Sequence, residues 1–281
     1  MKILTAGSSG QLAQEIILQA SAIGHEVIAP KESELDITNF DIVMDTAEGI
    51  MPDIIINCAA YNDVDKAETE WQKAYLVNGI GPKNLAIAAE SIGCPIVHFG
   101  TDYVFDGTNT SPYTIADSPN PLSKYGKSKL LGEDVVKNHT GSFYIIRTSW
   151  VFGAGHFSFP RKVIEWAGKN KTLKIVDDQI SSPTYTEDLA KGVLELIKTG
   201  CCGLYHLTNN NYVSKYGWAS LILKTIGWHG ELIPAKTDDF PTPAKRPLYS
   251  AMDNFPIDTA IGHILPDWQD ATERFLRKAA R

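Results

Sequence analysis

Lys2-Ile3-Leu4-Thr5-Ala6-Gly7-Ser8-Ser9-Gly10-Gln11-Leu12-Ala13, at the start of the chain, decides the reading of its fold. A short apolar run, a glycine turn and then an amphipathic stretch is the pattern of a buried strand feeding a helix. Glycine at Gly7 permits the tight turn, and Gly10 lets the backbone approach a pyrophosphate lying at the positive end of the helix dipole. The hydroxyls of Ser8 and Ser9 add donors, with Gln11 and Leu12 opening the helix behind them. The spacing is GxxGxxA rather than GxGxxG, with Ala13 at the packing position, a pattern that an ordinary strand-to-helix turn also produces.

The same rhythm continues outward. A helix over 11–23 is broken by Gly24-His25, and strands follow at 26–29, 54–57, 95–99 and 144–147, the one at 95–99 after a helix that ends near Gly93. Strands apolar on both faces and separated by helices predict an α/β fold, a Rossmann-type doubly wound parallel sheet. Beyond Val151 the rhythm loosens. Helices are expected at 160–168, 187–198 and 214–226, a strand at 173–176, a loop through Pro241, Pro243 and Pro247, and a polar helix over 268–280. With no linker or repeat, residues 1–150 read as the NADP(H)-binding Rossmann part. Residues 151–281 read mainly as a smaller substrate-binding cap, with some segments returning to the first part.

Bulk properties limit the partners. A chain of 281 residues with 43% hydrophobic and 21% charged residues is ordinary for a globular protein, and a net charge of −7 argues against a nucleic-acid or anionic-membrane surface. No stretch approaches the roughly 20 apolar residues of a membrane span, and the first residues lack the apolar core of a signal peptide. Cys58, Cys94, Cys201 and Cys202 have no metal-type spacing, and a bridge between the adjacent pair would be strained. A reduced, cytoplasmic protein is expected, with the sequons at Asn109 and Asn138 incidental.

The second strand ends Ile28-Ala29-Pro30-Lys31, without the carboxylate that binds ribose hydroxyls in NAD(H) sites. Lys31 can face a 2′-phosphate, which favours NADPH and leaves NADH open; Asp36 and Ile37 fall where they can lie beside the adenine. Tyr125-Gly126-Lys127-Ser128-Lys129 places a phenol and an ammonium one helical turn apart on one face. A cation beside the phenol lowers its pKa from near 10 toward the working range and makes it an acid-base group. Thr101 leaves the fourth strand at its C-terminal end, where open α/β sheets hold ligands, and its hydroxyl can polarise a ketone toward Tyr125.

Nearly end to end, the chain resembles the dTDP-4-dehydrorhamnose reductases, a family of the extended short-chain dehydrogenase/reductase superfamily. The likeness is carried by Gly7 to Gln11, Asn57-Cys58-Ala59-Ala60-Tyr61, Val64-Asp65-Lys66-Ala67-Glu68 and Thr101-Asp102-Tyr103-Val104-Phe105, with Gly100 where the family has serine. It continues through Tyr125 to Lys129, Arg147-Thr148-Ser149-Trp150-Val151-Phe152-Gly153, Asp178-Gln179, Pro183-Thr184, Gly203 to Leu207, and Arg246-Pro247. The resemblance implies hydride transfer from NADPH to C4 of a nucleotide-linked 6-deoxy-4-keto sugar, with Tyr125 supplying the proton, Thr101 holding the ketone and Lys129 the cofactor ribose. It implies that Ala59, Ala60, Tyr61 and Asn78 lie along the cofactor, and that Val64, Asp102, Tyr103, Phe105 and Trp150 line the sugar pocket. It also points to a Mg²⁺ site at Glu15 and Glu187 between subunits. Lys278, near the third expected ligand, carries the opposite charge and argues for two solvated glutamates instead, leaving monomer and homodimer both open. His156-Phe157 stands where relatives more often have Asn-Phe, next to the expected substrate contacts. Another nucleotide-sugar reductase or epimerase, or a non-catalytic NADP-binding regulatory subunit, remains compatible with these residues.

Overall fold

Strand and helix alternate through the first half in a computed structural model that describes residues 1–155 and 158–279. The order is β1 (Lys2–Ala6), α1 (Gln11–Ala22), β2 (Glu26–Ile28), α2 (Phe40–Ile50), β3 (Ile54–Asn57), α3 (Trp71–Tyr75), α4 (Gly81–Ile92), β4 (Ile96–Thr101), α5 (Lys124–His139) and β5 (Phe143–Thr148). Every residue of β3 and β4 is buried, as expected of strands covered on both faces. The second half runs β6 (Val151–Phe152), α6 (Phe159–Lys169), β7 (Thr172–Val176), β8 (Ile180–Ser181), β9 (Thr184–Tyr185), α7 (Thr186–Thr199) and β10 (Gly203–His206). It ends with β11 (Val213–Ser214), α8 (Lys215–Thr225), β12 (Glu231–Ala235), α9 (Ile257–Ile261) and α10 (Trp268–Ala279).

The main sheet has the order β2-β1-β3-β4-β5-β10, with every neighbouring pair parallel. Apolar residues of α1 and α7, among them Ile16, Ala20, Leu189 and Val193, pack on one face. Val43, Ala47, Leu85, Ala89 and Val136 from α2, α4 and α5 cover the other. The chain leaves β1 toward β2 and then crosses back to β3, so the topological switch lies between β1 and β3, and a crevice opens at their C-terminal ends.

The remaining strands form three two-stranded pairs, β7 with β12, β8 with β11 and β6 with β9, around an aromatic core of Phe152, Tyr185, Trp218 and Phe275. Of these strands β7 answers to the one expected at 173–176, and the other five were not foreseen. Two-residue strands carry no period, and β12 contains Pro234, which an edge strand tolerates. β10 returns to the main sheet beside β5. His156, Phe157 and Ala280 lie outside the described residues. Among the described residues no helix is long and apolar enough to cross a membrane.

Candidate active site

The loop after β1 is fixed by sterics. Gly7 has φ +72°, and a Cβ there would stand 2.4 Å from the Ala59 backbone nitrogen, so only glycine lets the loop lie against the end of β3. Gly10 N–H donates to the Gly7 carbonyl at 3.0 Å, and Ser8 Oγ donates to the Pro30 carbonyl at 2.8 Å. Ser8 therefore anchors the loop to the end of β2. α1 then begins at Gln11, behind Gly10 at the N-cap, without a side-chain cap and without an acidic residue in its first turn. Its first N–H groups, which have no intrahelical acceptor, are left for an anion. Ser9 to Ala13 line one side of a cleft of about 690 Å³ whose other walls include Cys58, Ala60, Thr101, Tyr125, Lys129, Ser149 and Trp150. An uncapped helix start beside a glycine turn at the switch point fits the pyrophosphate of a dinucleotide.

Further along, Lys31 is exposed at the end of β2, its backbone N–H donating to Glu34 at 2.8 Å. Asp36 is exposed too, and accepts from the backbone and hydroxyl of Thr38 at 2.9 and 2.7 Å. Ile37 is 4% exposed and packs into the core against Gly81, so its side chain supports this edge from beneath. Asn78 is likewise a brace. Buried in the π turn Leu76–Ile80, it accepts from Tyr61 N–H at 2.8 Å and donates to the Tyr61 carbonyl at 3.0 Å and to Ser128 Oγ at 2.9 Å. That uses both amide protons, and neither Asn78 nor Tyr61 is part of the cleft lining. Tyr61 turns its hydroxyl to Glu70 at 3.1 Å.

Thr101, Tyr125 and Lys129 meet in the cleft, as their spacing predicts. Ser123 caps α5 by accepting from Gly126 N–H at 3.1 Å. Glycines bring the helix close: a Cβ on Gly126 would lie 2.3 Å from the Tyr103 carbonyl oxygen, and one on Gly132 would lie 2.2 Å from that of Asn78. Lys129 Nζ donates to the Phe99 carbonyl at 2.6 Å. Burial brings Lys129 down to about 8, with Glu133 and Cys58 acting the other way. Burial pushes the Tyr125 phenol up to about 12, partly offset by the Thr101 hydroxyl and reinforced by Asp102. A phenol tuned toward neutrality by the neighbouring ammonium and the nicotinamide ring was expected; in the protein alone burial dominates, and what opposes it is the Thr101 hydroxyl.

Asp102 organises the floor. It is 2% exposed, and it accepts from Thr101 Oγ at 3.1 Å, Ser181 Oγ at 3.2 Å and Ser250 Oγ at 2.6 Å. Burial raises its carboxyl to about 6 against these three hydrogen bonds and the charge of Lys215. Ser181 and Ser250, from distant parts of the chain, escaped the sequence reading because lone serines carry no pattern. Gly100 leaves the space where the Glu133 carboxylate meets Arg147, whose Nη2 donates at 2.7 Å; a Cβ would touch Glu133 Oε1 at 2.5 Å.

The expected sugar-side residues divide. Trp150 lines the cleft with φ 42°, its ring parallel to that of Trp218 at 5.9 Å and beneath the ammonium of Lys215, 3.7 Å from the ring centroid. Val64 and Tyr103 pack with Tyr125, the Tyr103 ring edge-on to it at 5.8 Å. Phe105 is a correction: it is fully buried, stacked on Tyr113 at 4.1 Å in a separate core cluster, and does not line the cleft. Its burial depends on Tyr113 and Met252, which nothing local announces. Asp65 clamps the proline-rich loop by accepting from Arg246 Nη2 at 2.7 Å and Nη1 at 3.1 Å.

At the suggested metal site, Lys278 Nζ lies 2.6 Å from Glu187 Oε2. Burial alone would raise the Glu187 carboxyl, but Lys278, with Tyr185 and Arg274 behind it, holds it below its usual range. Glu15 accepts from Gln19 at 2.7 Å. An ammonium thus takes the Glu187 oxygen that a cation would need, and among the described residues no three acidic, histidine or cysteine side chains gather.

The RmlD substrate binding domain model matches residues 1–281. The chain is 38% identical to the spore coat polysaccharide biosynthesis protein SpsK of Bacillus subtilis, over 99% of this chain and 97% of that one. It is 34% identical to the dTDP-4-dehydrorhamnose reductase of Burkholderia thailandensis, over 96% of each. Among solved structures, a dTDP-4-dehydrorhamnose reductase from Clostridium acetobutylicum superposes with a TM-score of 0.98 at 40% identity, covering 100% of both chains. One from Bacillus anthracis in complex with NADP gives 0.95 at 33% identity over 99% of both.

Proposed function

The chain belongs to the RmlD substrate-binding family of dTDP-4-dehydrorhamnose reductases, and from that premise we propose that its cleft reduces the C4 ketone of dTDP-4-dehydro-L-rhamnose with NADPH to give dTDP-L-rhamnose. The observation that carries this reading is the meeting of Thr101, Tyr125 and Lys129 in one cleft with the uncapped start of α1. Bound NADPH supplies the hydride to C4. The chain's own residues do the rest. Gly7 to Leu12 receive the pyrophosphate and Lys129 holds the ribose, while Ala59 and Ala60 flank the cofactor and Lys31 and Asp36 meet its adenosine end. Tyr125, kept protonated by a pKa of about 12, delivers its proton to the oxygen as negative charge develops there. Thr101 at present gives its single hydroxyl proton to Asp102; turning it onto the ketone leaves Asp102 with two serine donors.

Residues 1–150 hold the cofactor in this proposal, and 151–281 mainly hold the sugar nucleotide, with α7 and β10 returning to the sheet. Trp150, Val64, Asp102 and Tyr103 form the sugar wall. The protein works in the cytoplasm, its four cysteines free. Purified protein should consume NADPH only when dTDP-4-dehydro-L-rhamnose is added. Tyr125→Phe should lower turnover by roughly 100-fold or more while binding NADPH as the parent does. Near-parent turnover in that variant would remove Tyr125 from the chemistry.

A further inference from the structure

We propose that Lys215 binds the sugar-proximal phosphate of the nucleotide-sugar substrate, a role that rests on the reductase reading above. Its place is set by the framework. Lys215 opens α8, its backbone N–H donates to the Gln179 carbonyl at 3.1 Å, and the preceding β11 pairs with β8, the strand that brings Ser181 to Asp102. From there Nζ lies 3.7 Å from the Trp150 ring centroid and 4.8 Å from that of Phe159. Ring faces attract a cation but accept no strong hydrogen bonds, and an ammonium has three donors to place. Among the described residues none of the side-chain hydrogen bonds or ion pairs goes to Lys215 Nζ.

Trp150 and Asp102 both line the cleft; the Lys215 ammonium lies just behind that lining, over the Trp150 ring and within electrostatic reach of Asp102. The reacting C4 oxygen belongs at Thr101 and Tyr125. C1, across the sugar ring, carries the phosphate, which places the anion one ring-width away along this wall. A diphosphate entering a chain of net charge −7 needs a cation there. Lys129, bonded to the Phe99 carbonyl, is assigned to the cofactor ribose, and Arg246 is paired with Asp65, whereas Lys215 has no hydrogen-bonded side-chain partner among the described residues. The charged groups facing it are Asp102 at the end of β4, Arg246 from the proline-rich loop and Lys162 from α6. Burial lowers Lys215 to about 7, with Asp102 opposing and the two cations adding to the fall. A cation with a lowered pKa is charged below that value and neutral above it, so affinity for the phosphate is greatest below pH 7 and declines above it.

The test uses dTDP as the binding probe and dTDP-4-dehydro-L-rhamnose as substrate, with Lys215→Met, which keeps an apolar stem against the rings, and Lys215→Arg, which keeps the charge. Lys215→Met should weaken dTDP binding roughly tenfold, raise KM for the sugar nucleotide more than it lowers kcat, and flatten the rise of KM above pH 7; Lys215→Arg should restore most of the affinity. NADPH titration and thermal melting identify a variant that has failed to fold. In a folded Lys215→Met protein, parent-like dTDP affinity overturns the proposal, and so does a loss confined to the sugar-bearing substrate. A parent protein that binds dTDP through Lys215 but oxidises no NADPH with the ketone overturns the reductase reading instead.

Discussion

Lys31 stands in solvent where β2 ends, at the position where a carboxylate would select NADH. A lysine there rewards a 2′-phosphate with charge and is indifferent to a hydroxyl. Lys31→Asp should therefore shift the ratio of kcat/KM for NADPH over NADH downward by roughly tenfold or more; an unchanged ratio would exclude Lys31 from reading the phosphate. At this scale the sequence was informative wherever neighbours in the chain remain neighbours in space. Tyr125 and Lys129 share a helix face, and Thr101 is delivered by the end of its own strand. The partners of Asp102 are Ser181 and Ser250, distant in sequence, and the use of Asn78 as a brace needed Tyr61 and Ser128 in view.

Among the elements, α5 is the one that the proposed chemistry depends on, because it carries Tyr125, the proposed proton donor, against the end of β4. Its position is held by the absence of side chains at Gly126 and Gly132, where backbone oxygens of Tyr103 and Asn78 occupy the space. Gly126→Ala should push the helix away, costing about 2 kcal/mol of stability by the measure of an overpacked site and lowering turnover by displacing Tyr125. Urea unfolding and steady-state kinetics check both, and an alanine tolerated without loss in either would show that the helix shifts freely. Apolar runs bounded by turns made β1 to β5 of the main sheet legible. The lesser strands were not, since β6, β8, β9 and β11 are two residues long and owe their existence to partners elsewhere in the chain.

For the whole molecule, the ion pair between Lys278 and Glu187 bears on assembly. An ammonium 2.6 Å from the carboxylate opposes a divalent cation at the same oxygen. Sedimentation in Mg²⁺ and in chelator should give one mass, be it monomer or homodimer; a mass that falls when the ion is removed would show that Lys278 yields to the metal. The doubly wound arrangement was legible from the alternation of strand and helix. The return of the later chain to the sheet rests on register with β5, which spacing alone does not set. That return has a consequence for inheritance. With β10 extending the hydrogen-bond ladder past β5 and α7 covering α1, a crossover near residue 150 would join halves whose ladder and helix packing had not evolved together. New sugar preferences in this scaffold are therefore reached more readily by single substitutions along the cleft wall than by exchange of modules.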